Sequence, residues 1–193
     1  MSLPDNILLP DLPASDFLAG DDTPELGRVS RELGPQAINA TGIVPIDVRM
    51  WLAESTGGQI VLYPEDTPAS TTVLVAEDAS TVSLAFDQSG RPHVAYTVGG
   101  VAKLRYWDSQ ASAYATLTLS GASTPIVTMD DKRLFASLAN RNDVLCFYVA
   151  SGGLCVRQQR DRFAVERVAV AGEGGAITRA GLCNDWRLRV ETA

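Results

Sequence analysis

Glycine pairs stand at 57–58, 99–100, 152–153 and 174–175, and none of them opens a helical pattern. Two adjacent residues that tolerate positive φ are what a tight hairpin between twisted strands demands. The runs between these pairs alternate apolar and polar residues, or are apolar throughout, and no segment sustains a 3.6-residue period. The best helical candidate is one short turn near Pro24 to Leu33. The chain is therefore expected to be all-β, built from antiparallel hairpins.

The densest stretch is SLAFDQSGRPHVAYTVGGVAKLRYWD, Ser83 to Asp108. Val82, Leu84 and Phe86 share one strand face, DQSG at 87–90 turns the chain, and HVAYTV returns. After the 99–100 glycines VAKLRYW comes back, with Leu104 and Tyr106 on one face and Lys103, Arg105 and Trp107 on the other. YATLTLS adds a fourth strand. The rhythm recurs through PIVTMD, LFASLA, VLCFYVA, LCVRQQ and FAVERVAV, and then AITRAGL and WRLRVE. VLCFYVA is apolar on both faces, the mark of a strand interior to a sheet.

Residues 81–119 and 125–170 each form a meander of about 40 residues, the size of a propeller blade. Residues 44–77 supply a third, degenerate blade, in which Ile46, Val48, Met50 and Leu52 oppose Asp47, Arg49 and Trp51. The expected architecture is antiparallel meanders resembling propeller blades, with a β-sandwich as the alternative. Two or three blades do not close a ring of about 4 to 8, so closure between subunits is expected.

Residues 1–34 differ from the rest. Prolines at 4, 10, 13 and 24 interrupt every helix, and ILL and FLA alternate with acids. This segment is expected to be an extended acidic arm that lies on a neighbouring copy, and 35–193 the β domain. The net charge is −7, and the arm accounts for −5 of it. That balance argues against nucleic acid as a partner. No apolar run approaches the roughly 18 residues of a membrane span, and the N-terminus lacks the basic and apolar regions of a secretory signal. The three cysteines, Cys146, Cys155 and Cys183, form no C-x-x-C pair and are expected to be reduced, buried thiols of a protein made in a cytoplasm.

Catalysis finds little support. His93 is the only histidine, and there is no G-x-S-x-G. Asp87, Asp130 and Asp131 are the carboxylates to consider for glycan hydrolysis, but they sit where turns ordinarily place aspartate. The loop at 87–90 lacks the further ligands of a calcium site, and no glycine pair has the setting of a nucleotide site. No cofactor or metal is expected. Exposed Trp51, Trp107 and Tyr114 would suit sugar stacking in a carbohydrate-binding module.

The densest positive feature is RQQRDRF, with Arg157, Arg160 and Arg162; Arg187 and Arg189 share a strand face near the end. These arginines are expected to pair with Asp161, Glu166 or Glu191, or with the acidic arm of a neighbour. The candidate subunit contacts are Asp11, Asp16 and Phe17 on the arm, with Arg105, Trp107, Arg157, Arg160, Arg162, Arg187 and Arg189 on the β domain.

In order along the chain, GPQAINATGIVPIDVRMW (34–51), SLAFDQSGRPHVAY (83–96), LRYWD (104–108), DDKR (130–133), RQQRDRF (157–163) and GLCNDWRLRVE (181–191) resemble a family of virion structural proteins of tailed bacteriophages. The resemblance covers 34–191 and leaves the arm unmatched. It implies a particle component present in many copies, a homo-oligomer touching other virion proteins, with no catalytic residues to transfer. The expected place is the tail, at its tip, baseplate or fibre-attachment region. A carbohydrate-binding module in host recognition is the alternative, and a propeller glycan hydrolase a third.

Overall fold

A computed structural model describes residues 27–33, 36–39, 42–45, 49–87, 89–129, 143–182 and 188–193. The fold is all-β, and three antiparallel four-stranded meanders follow one another along the chain. The first holds β1 (Val29–Leu33), β4 (Met50–Thr56), β5 (Gln59–Pro64) and β6 (Thr72–Val75) in that spatial order. Between its first two strands the chain makes a separate hairpin, β2 (Gln36–Asn39) with β3 (Gly42–Pro45). The second meander is β7 (Thr81–Phe86), β8 (Pro92–Val98), β9 (Val101–Asp108) and β10 (Ala113–Thr118). The third is β11 (Ser123–Met129), β12 (Val144–Ala150), β13 (Gly153–Gln158) and β14 (Arg167–Ala171). A last hairpin pairs β15 (Ile177–Leu182) with β16 (Leu188–Thr192).

Two of the four glycine pairs act as their spacing predicts, whereas Gly174 and Gly175 lie without positive φ in the link between β14 and β15, which do not pair. Gly57 and Gly58 have φ +59° and +82°, and Gly99 and Gly100 have +56° and +79°. Positive φ at both loop positions matches the twist of the flanking strands. Gly153 is required for a different reason. A Cβ there would stand 2.2 Å from the Val170 carbonyl oxygen, so β13 and β14 pair closely only with glycine at that point.

The meanders stack face to face in chain order. Ala53, Ile60 and Leu62 of the first pack against Val82, Leu84, Phe86, Val94 and Tyr96 of the second. The other face of the second, with Ala85, Ala95, Ala102 and Leu104, packs against Val127, Val144, Cys146 and Tyr148 of the third. The far face of the third, with Leu145, Phe147 and Leu154, meets Ile177 and Ala180 of the last hairpin. The second meander, and the third apart from its exposed outer strand β14, are thus covered on both faces. The all-β architecture is borne out, and the stacked antiparallel meanders are compatible with blade-like units or with a sandwich; they are called blades below for their size and order. β12 is the apolar strand expected in a sheet interior, and its side chains are buried from Val144 to Val149.

Hydroxyl groups tie the first strands of successive blades together. Leu84 N–H donates to Ser30 Oγ at 2.9 Å, Val127 N–H to Ser83 Oγ at 3.0 Å, and Ile177 N–H to Thr124 Oγ1 at 3.0 Å. Each bond satisfies a backbone donor that its own sheet leaves free. These first strands surround a small polar cleft lined by Ser30, Glu32, Ser83, Val127 and Arg179.

The N-terminal boundary lies earlier than the composition suggests. Val29–Leu33 is not a helical turn of an arm but strand β1, paired along its length with β4. Ser30 and Glu32 are buried while Val29 is exposed, so the two-residue alternation runs through a polar sequence. A single turn of helix would gain few hydrogen bonds, whereas the ladder with β4 engages all five residues. With β1 in place, the first blade is a full four-stranded sheet rather than a degenerate one. The expected strand LFASLA, with most of the arm, lies outside the described residues.

Candidate functional site

A cluster of buried polar groups, Asp87, His93 and Asp108, lies where the second and third blades meet. The turn after β7 begins at Asp87, whose side chain is only 5% exposed. Its Oδ1 accepts the backbone N–H of Ser89 at 2.8 Å and of Arg91 at 2.9 Å, so the carboxylate caps its own turn. Its Oδ2 faces His93 Nε2 at 3.4 Å and accepts the side-chain amide of Gln159 at 3.0 Å. Gln159 begins a short 3-10 turn, Gln159–Asp161, that follows β13, so this bond crosses from one blade to the next. Burial pushes the Asp87 carboxyl up, but the hydrogen bond from His93, the Arg91 and Ser89 amides and the field of the imidazole together hold it below 3.8.

His93 is fully buried, and its Nδ1 has no hydrogen-bond partner among the described residues. The Phe163 ring lies 5.9 Å from it and 5.1 Å from Tyr106 in an edge-on contact. Phe163 adopts φ +57° and Arg162 before it φ +58°, a region bulky side chains rarely enter. Burial of the Phe163 ring and the ion pair of Arg162 hold this turn in place. Arg162 donates from Nε and Nη2 to the two oxygens of Asp108 at 3.1 and 2.5 Å, and from Nη1 to Gln110 at 2.6 Å. Asp108 also caps its own turn through the Gln110 and Ala111 amides. The Arg162 hydrogen bond keeps Asp108 below the ordinary carboxylate range.

Arg157 supports the same turn from behind. It donates to the Phe163 and Ala164 carbonyls at 2.8 and 2.9 Å, to the Tyr148 hydroxyl at 2.8 Å, and to Glu166 at 3.3 Å. Burial and the bond to Glu166 raise the Tyr148 hydroxyl well above its ordinary value. Arg160 pairs with buried Asp143, and Arg167 with Asp161 at 2.6 Å. The arginines of RQQRDRF are thus engaged within their own chain, and one of them, Arg162, reaches a turn of the second blade far away in sequence. Arg189 is exposed on β16, and Asp11, Asp16, Phe17 and Arg187 lie outside the described residues.

Arg105 and Trp107 stand on the face of β9 that turns toward the first blade. Arg91 lies over the Trp107 ring at 4.3 Å, Trp107 meets Tyr114 edge-on at 5.3 Å, and Arg105 lies over Tyr114 at 5.4 Å. Trp51 is elsewhere, edge-on to Phe86 at 6.0 Å with Arg49 above it at 5.6 Å. The aromatic residues expected to stack on sugar therefore already carry guanidinium groups on their rings.

Both Asp87 oxygens are occupied, His93 is closed to solvent, and Asp130 and Asp131 lie outside the described residues. Cys146 and Cys155 are buried and unpaired; burial pushes the Cys146 thiol up to about 12 and raises Cys155 as well. Among the described residues no three acidic, histidine or cysteine side chains stand close enough to hold a metal, and no helix is long and apolar enough to cross a membrane. Gln159 and Arg91 were not singled out by the sequence, because neither residue type marks a site until the turn that presents it is known.

No protein-family model matches the chain, and neither the curated proteins nor the solved structures yield a significant similarity.

Proposed function

We propose that this chain is a structural component of a tailed-bacteriophage virion, made in the host cytoplasm and built into the tail at its tip, baseplate or fibre-attachment region. Its partners are further copies of itself and other virion proteins, and it performs no catalytic step. The motif resemblance across 34–191 supports the virion. The observation that carries assembly is β14. All five residues of this outer strand are exposed, with Val168 52% and Val170 50% exposed, and Val165 stands exposed just before it. Edge strands are ordinarily blunted by charge, proline or a cover. RVAVA has one charged residue, and an exposed apolar edge is a template for another chain. The test is to purify particles to constant density, measure the chain's copy number by mass spectrometry and place it in a particle map. A chain absent from purified particles would end this reading.

A second reading, a carbohydrate-binding module in host recognition, is favoured by the half-buried Trp107 and Tyr114. It predicts binding on a glycan array that Trp107→Ala removes.

A further inference from the structure

Arg91, Trp107, Tyr114 and Arg105 form a continuous strip in which guanidinium and aromatic groups alternate. Trp107 and Tyr114 are direct cross-strand partners, as are Arg105 and Thr116, so the strip is fixed by the β9–β10 register rather than by a loop. Its charges are not neutralised. Arg28, Arg31, Arg157, Arg160, Arg162 and Arg167 each reach a carboxylate. Among the described residues Arg91 and Arg105 reach none: the Arg105 side chain has one hydrogen bond, to the Thr116 hydroxyl at 3.2 Å, and its buried Nε has no partner. A buried guanidinium nitrogen without an acceptor is costly, and a carboxylate is the group that best satisfies it.

The chain itself holds a segment of matching chemistry. Residues 1–26 contain Asp5, Asp11, Asp16, Asp21, Asp22 and Glu25 and no lysine or arginine. Pro10 and Pro13 flank Asp11 and Leu12. Two prolines three residues apart fall on one side of an extended polyproline helix, the form that aromatic grooves recognise at low entropic cost. Aromatic faces would take the prolines, and the flanking guanidinium groups would take Asp11 and its neighbouring acids.

We propose that the strip on β9 and β10 docks residues 1–26 of a neighbouring copy, with the PDLP stretch at 10–13 against Trp107 and Tyr114 and the acids on Arg91 and Arg105. The neighbouring origin rests on the assembly reading; the complementarity does not. Residues 14–26 span up to about 43 Å when extended, enough to leave their own protomer.

The test uses the full chain with p-benzoylphenylalanine in place of Tyr114, prepared as a mixture of light and heavy isotope-labelled copies. Irradiation is expected to give cross-linked peptides that join position 114 of one label to residues 1–26 of the other. Arg91→Glu with Arg105→Glu should lose most of that cross-link, and a copy carrying Asp5→Lys, Asp11→Lys and Asp16→Lys should restore it, which separates a lost contact from a lost fold. Cross-links only within one label, or only to other segments, would overturn the proposal. So would an acidic glycan that binds the full chain and is lost with Trp107→Ala while no arm cross-link forms; the strip would then be a saccharide site. Particles that contain the chain but give no arm cross-link would sink this inference and leave the virion reading standing.

Discussion

The third blade has two neighbours and meets them differently. Toward the last hairpin it offers Ile126, Leu145, Phe147, Val149 and Leu154 to Ile177 and Ala180, and the Thr124 hydroxyl crosses the gap. Toward the second blade it offers an apolar layer of similar kind, and at one end of that layer Gln159, Arg162 and Phe163 reach Asp87, Asp108 and His93. Apolar burial has no direction and tolerates sliding. A satisfied buried polar network tolerates little, since each lost partner leaves a desolvated group. The second and third blades are therefore locked in angle, while the hairpin is held mainly by its apolar face.

The sharpest way to break this contrast is Phe163→Ala. The ring is fully buried between His93 and Tyr106, so its removal should cost about 3–5 kcal/mol in urea unfolding. Amide exchange should rise through both blades together. In the hairpin, Ile177→Ala should raise exchange in β15 and β16 first and leave the 87–93 turn protected. If both substitutions loosen the same amides, the two interfaces are one cooperative unit.

Next in size is Asp87→Ala, which strips His93 and Gln159 of their acceptor and uncaps the turn at Ser89 and Arg91. A loss of about 2–3 kcal/mol is expected. Asp87→Asn should recover part of it, since an amide oxygen can still cap the turn.

Acid should weaken the same interface selectively. Asp87 and Asp108 both titrate below their ordinary 3.8 in the folded chain. A carboxyl with a depressed folded value adds stability above its unfolded value, and that stability is lost as pH falls through the folded value. Exchange protection at the 87–93 and 108–111 turns should therefore fall below about pH 4, before that of β15 and β16, which meet the third blade through the apolar Ile177 and Ala180. Asp87→Asn should flatten this acid limb. An equal loss of protection at both interfaces would show that the acid effect is not local to these two carboxylates.

The hairpin rhythm was legible because tight turns restrict residue type. Gly57–Gly58 and Gly99–Gly100 occupy positions where only residues tolerant of positive φ fit, and Asp87 stands where a side chain caps a turn. Local chemistry of this kind survives in a one-dimensional string. β1 did not, because VSREL carries its pairing in the complementarity with β4 rather than in its own composition. The role of RQQRDRF was half legible. Arg157 pairs with Glu166, nine residues away, but Arg162 pairs with Asp108 and Gln159 with Asp87, 54 and 72 residues away. Only the stacking of blades brings those groups together, and no local pattern announces it.

The smallest expected effect is at the Thr124 hydroxyl of the apolar interface. Thr124 has φ +46°, a backbone state that a β-branched residue adopts only when something holds it. Its Oγ1 accepts the Ile177 N–H, and the register of β11 with β12 shifts between Ser123 and Ile126. Thr124→Gly removes the strain and the acceptor together. Relief of about 1 kcal/mol should nearly offset a lost hydrogen bond of about 1 kcal/mol, leaving the midpoint of unfolding close to that of the parent chain. Thr124→Val keeps the strain and loses only the acceptor, so it should be the more damaging of the two. If Thr124→Gly instead falls well below the parent chain, the hydroxyl contributes more than the strain costs, and the hairpin is fixed by direction after all.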